Sequence, residues 1–107
     1  MDHPHQTRAC SLEQDILWAV LDQDAVPHIL EMARTNWAAD PATAWSALQC
    51  QAGLGRLLAY RRTGPYVPVD LTRVTFEEAS QDGALFLEPT NMTRERLGEI
   101  AAAVLGA

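Results

Sequence analysis

The pattern of apolar residues changes period near residue 55, and that change restricts the chain to a mixed α+β domain. Upstream, Leu12, Ile16, Ala19 and Val20 recur at helical spacing behind Ser11-Leu12-Glu13-Gln14, which reads as a capping box. Val26, Ile29, Leu30, Ala33 and Trp37 mark a second helix, for which Asp24 is the expected cap and Pro27 a first-turn residue. Asp40-Pro41 opens a third helix with Ala44, Ala47, Leu48 and Leu54 facing inward, and Gly53 or Gly55 ends it. Arg56 to Arg61 then reads as a strand, and Thr63-Gly64-Pro65 as a turn. Tyr66-Val67-Pro68-Val69 returns as an edge strand, because Pro68 has no N–H to give a central ladder. Thr75-Phe76-Glu77-Glu78 is a second capping box, Ala84 to Glu88 a short strand, and a last helix is predicted from about Thr93 to Leu105. The expected buried stripe of that helix is Leu97, Ile100, Ala101, Val104 and Leu105.

The chain has 107 residues, 48% of them hydrophobic, enough to bury a core without disulfides or a structural metal. Residues 1–10 are expected to form a flexible N-terminal tail and 11–107 a single domain. No apolar run reaches the roughly 20 residues of a bilayer span, and the N-terminus lacks the apolar stretch of a signal peptide. Two cysteines, Cys10 and Cys50, make no disulfide framework, so a cytoplasmic location is expected.

Charge is distributed unevenly. The net charge is −6 and every basic residue is arginine. Residues 53–76 carry Arg56, Arg61, Arg62 and Arg73 against Asp70 alone, between two acidic flanks. An acidic chain repels phosphate at long range, which weighs against a general nucleic-acid coat. The island itself reads either as a solvated hairpin or as a contact surface.

Catalytic chemistry has little to build on. His3 and His5 fall in the expected tail, and His28 with Glu31 three residues on reads as a surface ion pair. Cys50, in mid-helix with no histidine nearby in sequence, reads as a small core residue. No spacing of His and Cys repeats a structural zinc pattern, and Gly53-Leu54-Gly55 leads into a strand rather than a phosphate-binding helix. No enzyme activity, cofactor or metal is expected. Of Trp18, Trp37 and Trp45, at least one should seal the core, while Trp18 and Trp45 are candidates to anchor a partner.

Three helices followed by a hairpin is the order of a winged helix. The chain resembles that superfamily, and within it small bacterial winged-helix-like proteins of unassigned role, through Ile16-Leu17-Trp18-Ala19-Val20-Leu21, Asp40-Pro41-Ala42-Thr43, Gly55 to Arg61, and Leu85 to Thr90. The resemblance implies a three-helix core with a β-hairpin and a C-terminal helix. It also implies a third helix (41–52) that could read DNA through Thr43, Ser46, Gln49 or Gln51, with Arg56, Arg61, Arg62 and Arg73 of the hairpin region 56–73 on phosphates. That helix carries no basic residue. The expected function is therefore a non-enzymatic protein-binding module, a regulator or immunity-type partner, with Trp45 and the hairpin arginines as contacts. A DNA-binding transcriptional regulator is the alternative. A homodimer is compatible with either, and a membrane partner with neither.

Overall fold

The structure, a computed structural model, describes residues 4–106. Among these residues the chain forms five α-helices, one 3-10 turn and a three-stranded antiparallel sheet. The order is α1 (Pro4–Leu21), α2 (Val26–Thr35), α3 (Pro41–Gly53), β1 (Leu57–Arg62), β2 (Tyr66–Val69), a 3-10 turn (Leu71–Arg73), α4 (Phe76–Gln81), β3 (Leu85–Pro89) and α5 (Asn91–Gly106).

The first helix begins earlier than its capping box predicts. Ser11 lies inside α1, and residues 4–10 of the expected tail are helical, while 1–3 lie outside the described residues. Nothing between Thr7 and Cys10 breaks a helix, and Pro4 is tolerated in a first turn because its missing N–H would be unpaired there anyway. The cap of α2 is Ala25, not Asp24, because Ala25 is the extended residue and makes a single β-bridge to Phe86. Asp40 stands at the start of α3 in extended geometry with Pro41 after it, though its carboxylate makes no capping bond. Thr75 and Glu78 complete their capping box in both directions.

The end of α3 fixes the start of the sheet. Gly55 N–H reaches Ala52 C=O (3.0 Å) and Arg56 N–H reaches Gln51 C=O (3.0 Å), the paired bonds of a Schellman ending. Gly55 sits at φ +76°, where a side chain would be strained, and an added Cβ would come within 3.3 Å of Met92 Sδ. Leu54, expected to face inward, is the C-cap residue and is exposed.

The strand order is β2-β1-β3. In β1, Leu57 and Ala59 point at the helices together with Leu85 and Leu87 of β3, meeting Ile16, Val20, Ile29, Trp45 and Leu48 in one core. Trp45 is thus the tryptophan that closes the core, and Trp37 packs half-buried at its margin. The opposite face carries Leu58, Tyr60 and Arg62, beside Tyr66 and Pro68 on one side and Phe86 and Glu88 on the other. Leu58, Arg62, Tyr66, Pro68 and Glu88 are left open to solvent.

A second, smaller cluster of Leu17, Leu97 and Ile100 seats α5 on α1, with Leu21 at its edge. Ala101 and Leu105, expected in the buried stripe, are exposed, and the Val104 side chain lies outside the described ones. The receiving residues Leu17 and Leu21 stand at the end of α1, so Ile100 finds a partner surface and the next turn of α5 runs past it.

Candidate functional site

Period-two alternation and strand register bring three aromatic rings together on the outer face of the sheet. Tyr60 is stacked between Tyr66 (centroids 4.7 Å apart) and Phe86 (6.1 Å), with interplanar angles of 19° and 21°. The Arg62 guanidinium lies 4.7 Å from the Phe86 ring centre and 5.5 Å from that of Tyr66, and donates to the Tyr66 hydroxyl at 3.2 Å. Rings from the two outer strands are thereby tied under one cation, on either side of Tyr60.

Next to this stack, and partly formed by it, is a shallow cleft of about 360 Å³. Leu58, Tyr60, Tyr66 and Pro68 supply its apolar wall, Ala52 and Gly53 bring the C-terminal end of α3 to it, and Asp70 and Glu88 are its charged residues. Leu58 is 57% exposed and Tyr66 59%, large apolar surfaces for a domain of this size. The Thr72 hydroxyl (2.6 Å) and amide (3.0 Å) both donate to Asp70 Oδ1 and hold its carboxyl below the usual range. Arg73 Nε stands 3.7 Å from the other Asp70 oxygen.

The arginines predicted as one surface go to four different places. Arg56 turns inward and donates to Glu13 Oε2 and Gln51 Oε1, both at 3.2 Å. Arg61 is bound to Asp82 at 2.6 Å. Arg62 lies on the aromatic stack, and Arg73 is exposed beside Asp70. On α3, Thr43 and Ser46 are exposed, but Gln49 is occupied: its amide donates to the C=O groups of Leu71 (2.9 Å) and Val74 (3.3 Å), pinning the 3-10 turn to the helix. Gln51 is buried and Trp45 is core, so neither offers a contact. Of the predicted contact residues, Thr43, Ser46, Arg62 and Arg73 keep an exposed side chain.

Two other readings of single residues change. Cys50 is exposed, because the inward row of α3 runs Ala44, Trp45, Leu48, Gln51 and leaves position 50 to the side. Glu31 is paired with Arg34 rather than with His28, which is exposed on α2. Among the described residues no group of three or more His, Cys, Asp or Glu is placed to hold a metal ion, and the His3, His5 and Cys10 side chains lie outside them. No helix among those residues is long and apolar enough to cross a membrane.

Sequence reasoning missed the cleft and the ring stack. The β1–β2 half was within reach, since a three-residue turn places Arg62 opposite Tyr66. Phe86 carries no such local signal, because β3 joins β1 only after an intervening helix. Trp18, 54% exposed on α1, remains a second apolar surface that is not part of the cleft. Comparison of the chain with family models, curated proteins and solved structures finds no match.

Proposed function

We propose that the chain is a non-enzymatic protein-binding module of winged-helix type, a cytoplasmic regulator or immunity-type partner, that meets its partner through the outer face of the sheet. One observation carries the reading: Leu58 and Tyr66 are exposed beside a cleft, on paired strands whose rings stack on one another. Exposed aromatic and aliphatic groups on a rigid support are the usual energetic centre of a protein interface, because little ordering entropy remains to be lost on contact. The winged-helix part of the proposal rests on the sequence of three helices and a hairpin. The competing DNA reading has less to stand on, since Arg56, Arg61 and Gln49 are engaged within the molecule.

The test compares the wild-type chain with Leu58→Arg as baits in cells that make the protein. The captured protein is then purified and titrated calorimetrically between about 0.05 and 0.5 M salt. A defined partner that is lost with Leu58→Arg and changes little with salt is the expected result. Submicromolar duplex-DNA binding that weakens with salt, and with each of Arg62→Ala and Arg73→Ala, overturns it.

A further inference from the structure

The cleft has a charge sign. Its apolar wall of Leu58, Tyr60, Tyr66 and Pro68 is bounded by two carboxylates, Asp70 and Glu88. Gly53 brings the C-terminal end of α3 to the same cleft, and that end of a helix carries partial negative charge. Thr72 donates twice to one oxygen of Asp70, which fixes the carboxylate in place and holds it below its ordinary range. The other oxygen has only the long 3.7 Å contact with Arg73, a side chain 87% exposed. Two carboxylates and a helix C-terminus thus border an apolar groove, while the cations beside it are Arg73, loosely held by Asp70, and Arg62, drawn onto the Tyr66 ring.

From this charge pattern we infer that the cleft takes a basic, apolar segment of the partner protein: an aliphatic or proline-containing stretch flanked by arginine or lysine. The inference rests on the protein-binding reading above and names the partner's chemistry. The segment lies across the sheet face rather than extending its edge. Arg62 N–H points to β3, accepted by Ala84 C=O at 2.9 Å, so the residues of β1 that bond β2 are Ala59 and Arg61, opposite Val69 and Val67. Tyr66 and Pro68 therefore turn their backbone outward at the β2 edge, the one beside the cleft, where Pro68 has no N–H to give. An added strand would find a broken ladder, and the affinity has to come from side chains.

The experiment is a fluorescence-anisotropy titration with two dye-labelled peptides of alternating leucine and proline, one ending in arginines and the other in glutamates. Wild-type chain is expected to bind the arginine peptide at micromolar concentration and the glutamate peptide about tenfold more weakly. Glu88→Lys should reverse that preference, Leu58→Ser should weaken both peptides, and Arg73→Ala should tighten the arginine peptide about twofold by removing a competing cation. Thermal melts confirm that these surface variants fold. Equal binding of the two peptides, no binding of either, or a dimer of the wild-type chain that Leu58→Ser dissociates overturns the inference. If the peptides fail while Leu58→Arg still abolishes partner capture, only the basic segment is wrong. If capture is indifferent to Leu58→Arg, the module reading has lost its site.

Discussion

Two parts of this molecule use arginine in opposite ways. At the seam between α1, α3 and α5, Arg96 donates to both oxygens of Glu13 (2.8 and 3.0 Å) while Arg56 and Gln51 reach the same carboxylate at 3.2 and 3.3 Å. On the sheet face, Arg62 lies against aromatic rings and makes no ion pair among the described residues. The seam is a closed account of charge in which each guanidinium is held by a carboxylate at a half-buried site. The face leaves its cation and its apolar wall available. Basic residues clustered in sequence are therefore no guide to a basic surface: what each guanidinium does is decided by the partner the fold gives it.

The contrast is sharpest at Glu13. Glu13→Ala leaves Arg96 and Arg56 without their shared carboxylate and should cost about 2 kcal/mol, read as a lower urea midpoint with an unchanged slope. If the midpoint stays where it was, the seam is no more structural than the face. The same residue predicts a pH dependence. The hydrogen bond from Arg96, ahead of the opposing cost of burial, holds the Glu13 carboxyl below its ordinary value of 4.5. A lowered folded-state value contributes stability that is present above pH 4.5 and is lost as the pH falls below it. Glu13→Gln should therefore lie closest to wild type in acid and furthest from it at neutral pH. Parallel stability curves for the two proteins would remove Glu13 as the cause.

Thr93 tests the other end of the seam. It is fully buried, donates to Arg56 C=O at 2.5 Å and accepts from Thr90 N–H at 2.9 Å. Thr93→Val keeps the shape and strands both groups, so a loss of about 1–2 kcal/mol is expected in the same titration. Arg62→Ala should cost less, about 0.5–1 kcal/mol, since a cation over exposed rings is a weak bond. Lysine there should restore only part of it, lacking the flat guanidinium. A cost matching that of Glu13→Ala would erase the distinction between the two regions. Smallest of all, Cys50→Ser should change stability by less than about 0.5 kcal/mol, while the wild-type thiol reacts promptly with a thiol reagent in the folded protein.

What could be read in the sequence was what neighbouring residues decide together. Asp40-Pro41, the Thr75–Glu78 box, the turn at Thr63-Gly64-Pro65 and the edge position of Pro68 are local matters of dihedral angle and missing donors, and each is found where it was expected. The start of α1 lies ahead of its capping box because such a box is only a competent sequence, and it yields where the helix continues through it. Leu54 leaves the core because the inward stripe of α3 ends a turn earlier than its spacing suggests, and Cys50 because a mid-helix cysteine without a histidine nearby need not be a core residue. The site depended on what distant segments share: Gln49 meets Leu71 and Val74, Phe86 meets Tyr60, and Glu13 meets Arg96 across 83 residues. Spacing along a chain carries no mark of such meetings.

The bond between Glu13 and Arg96 also orders events in time. A ribosome delivers the chain from its N-terminus, at about 5–20 residues per second. For several seconds, then, α1 exists with its carboxylate lacking Arg96 and with Leu17 uncovered, even where Arg56 and Gln51 have already reached Glu13. Only when α5 emerges can it close over that strip, drawing its Thr93 onto Arg56, and Thr90 just ahead of it onto Gly55, as it seats. The last helix is thus the latch of the nascent domain, and the interval before it shuts is when the protein is most exposed to aggregation and to proteases.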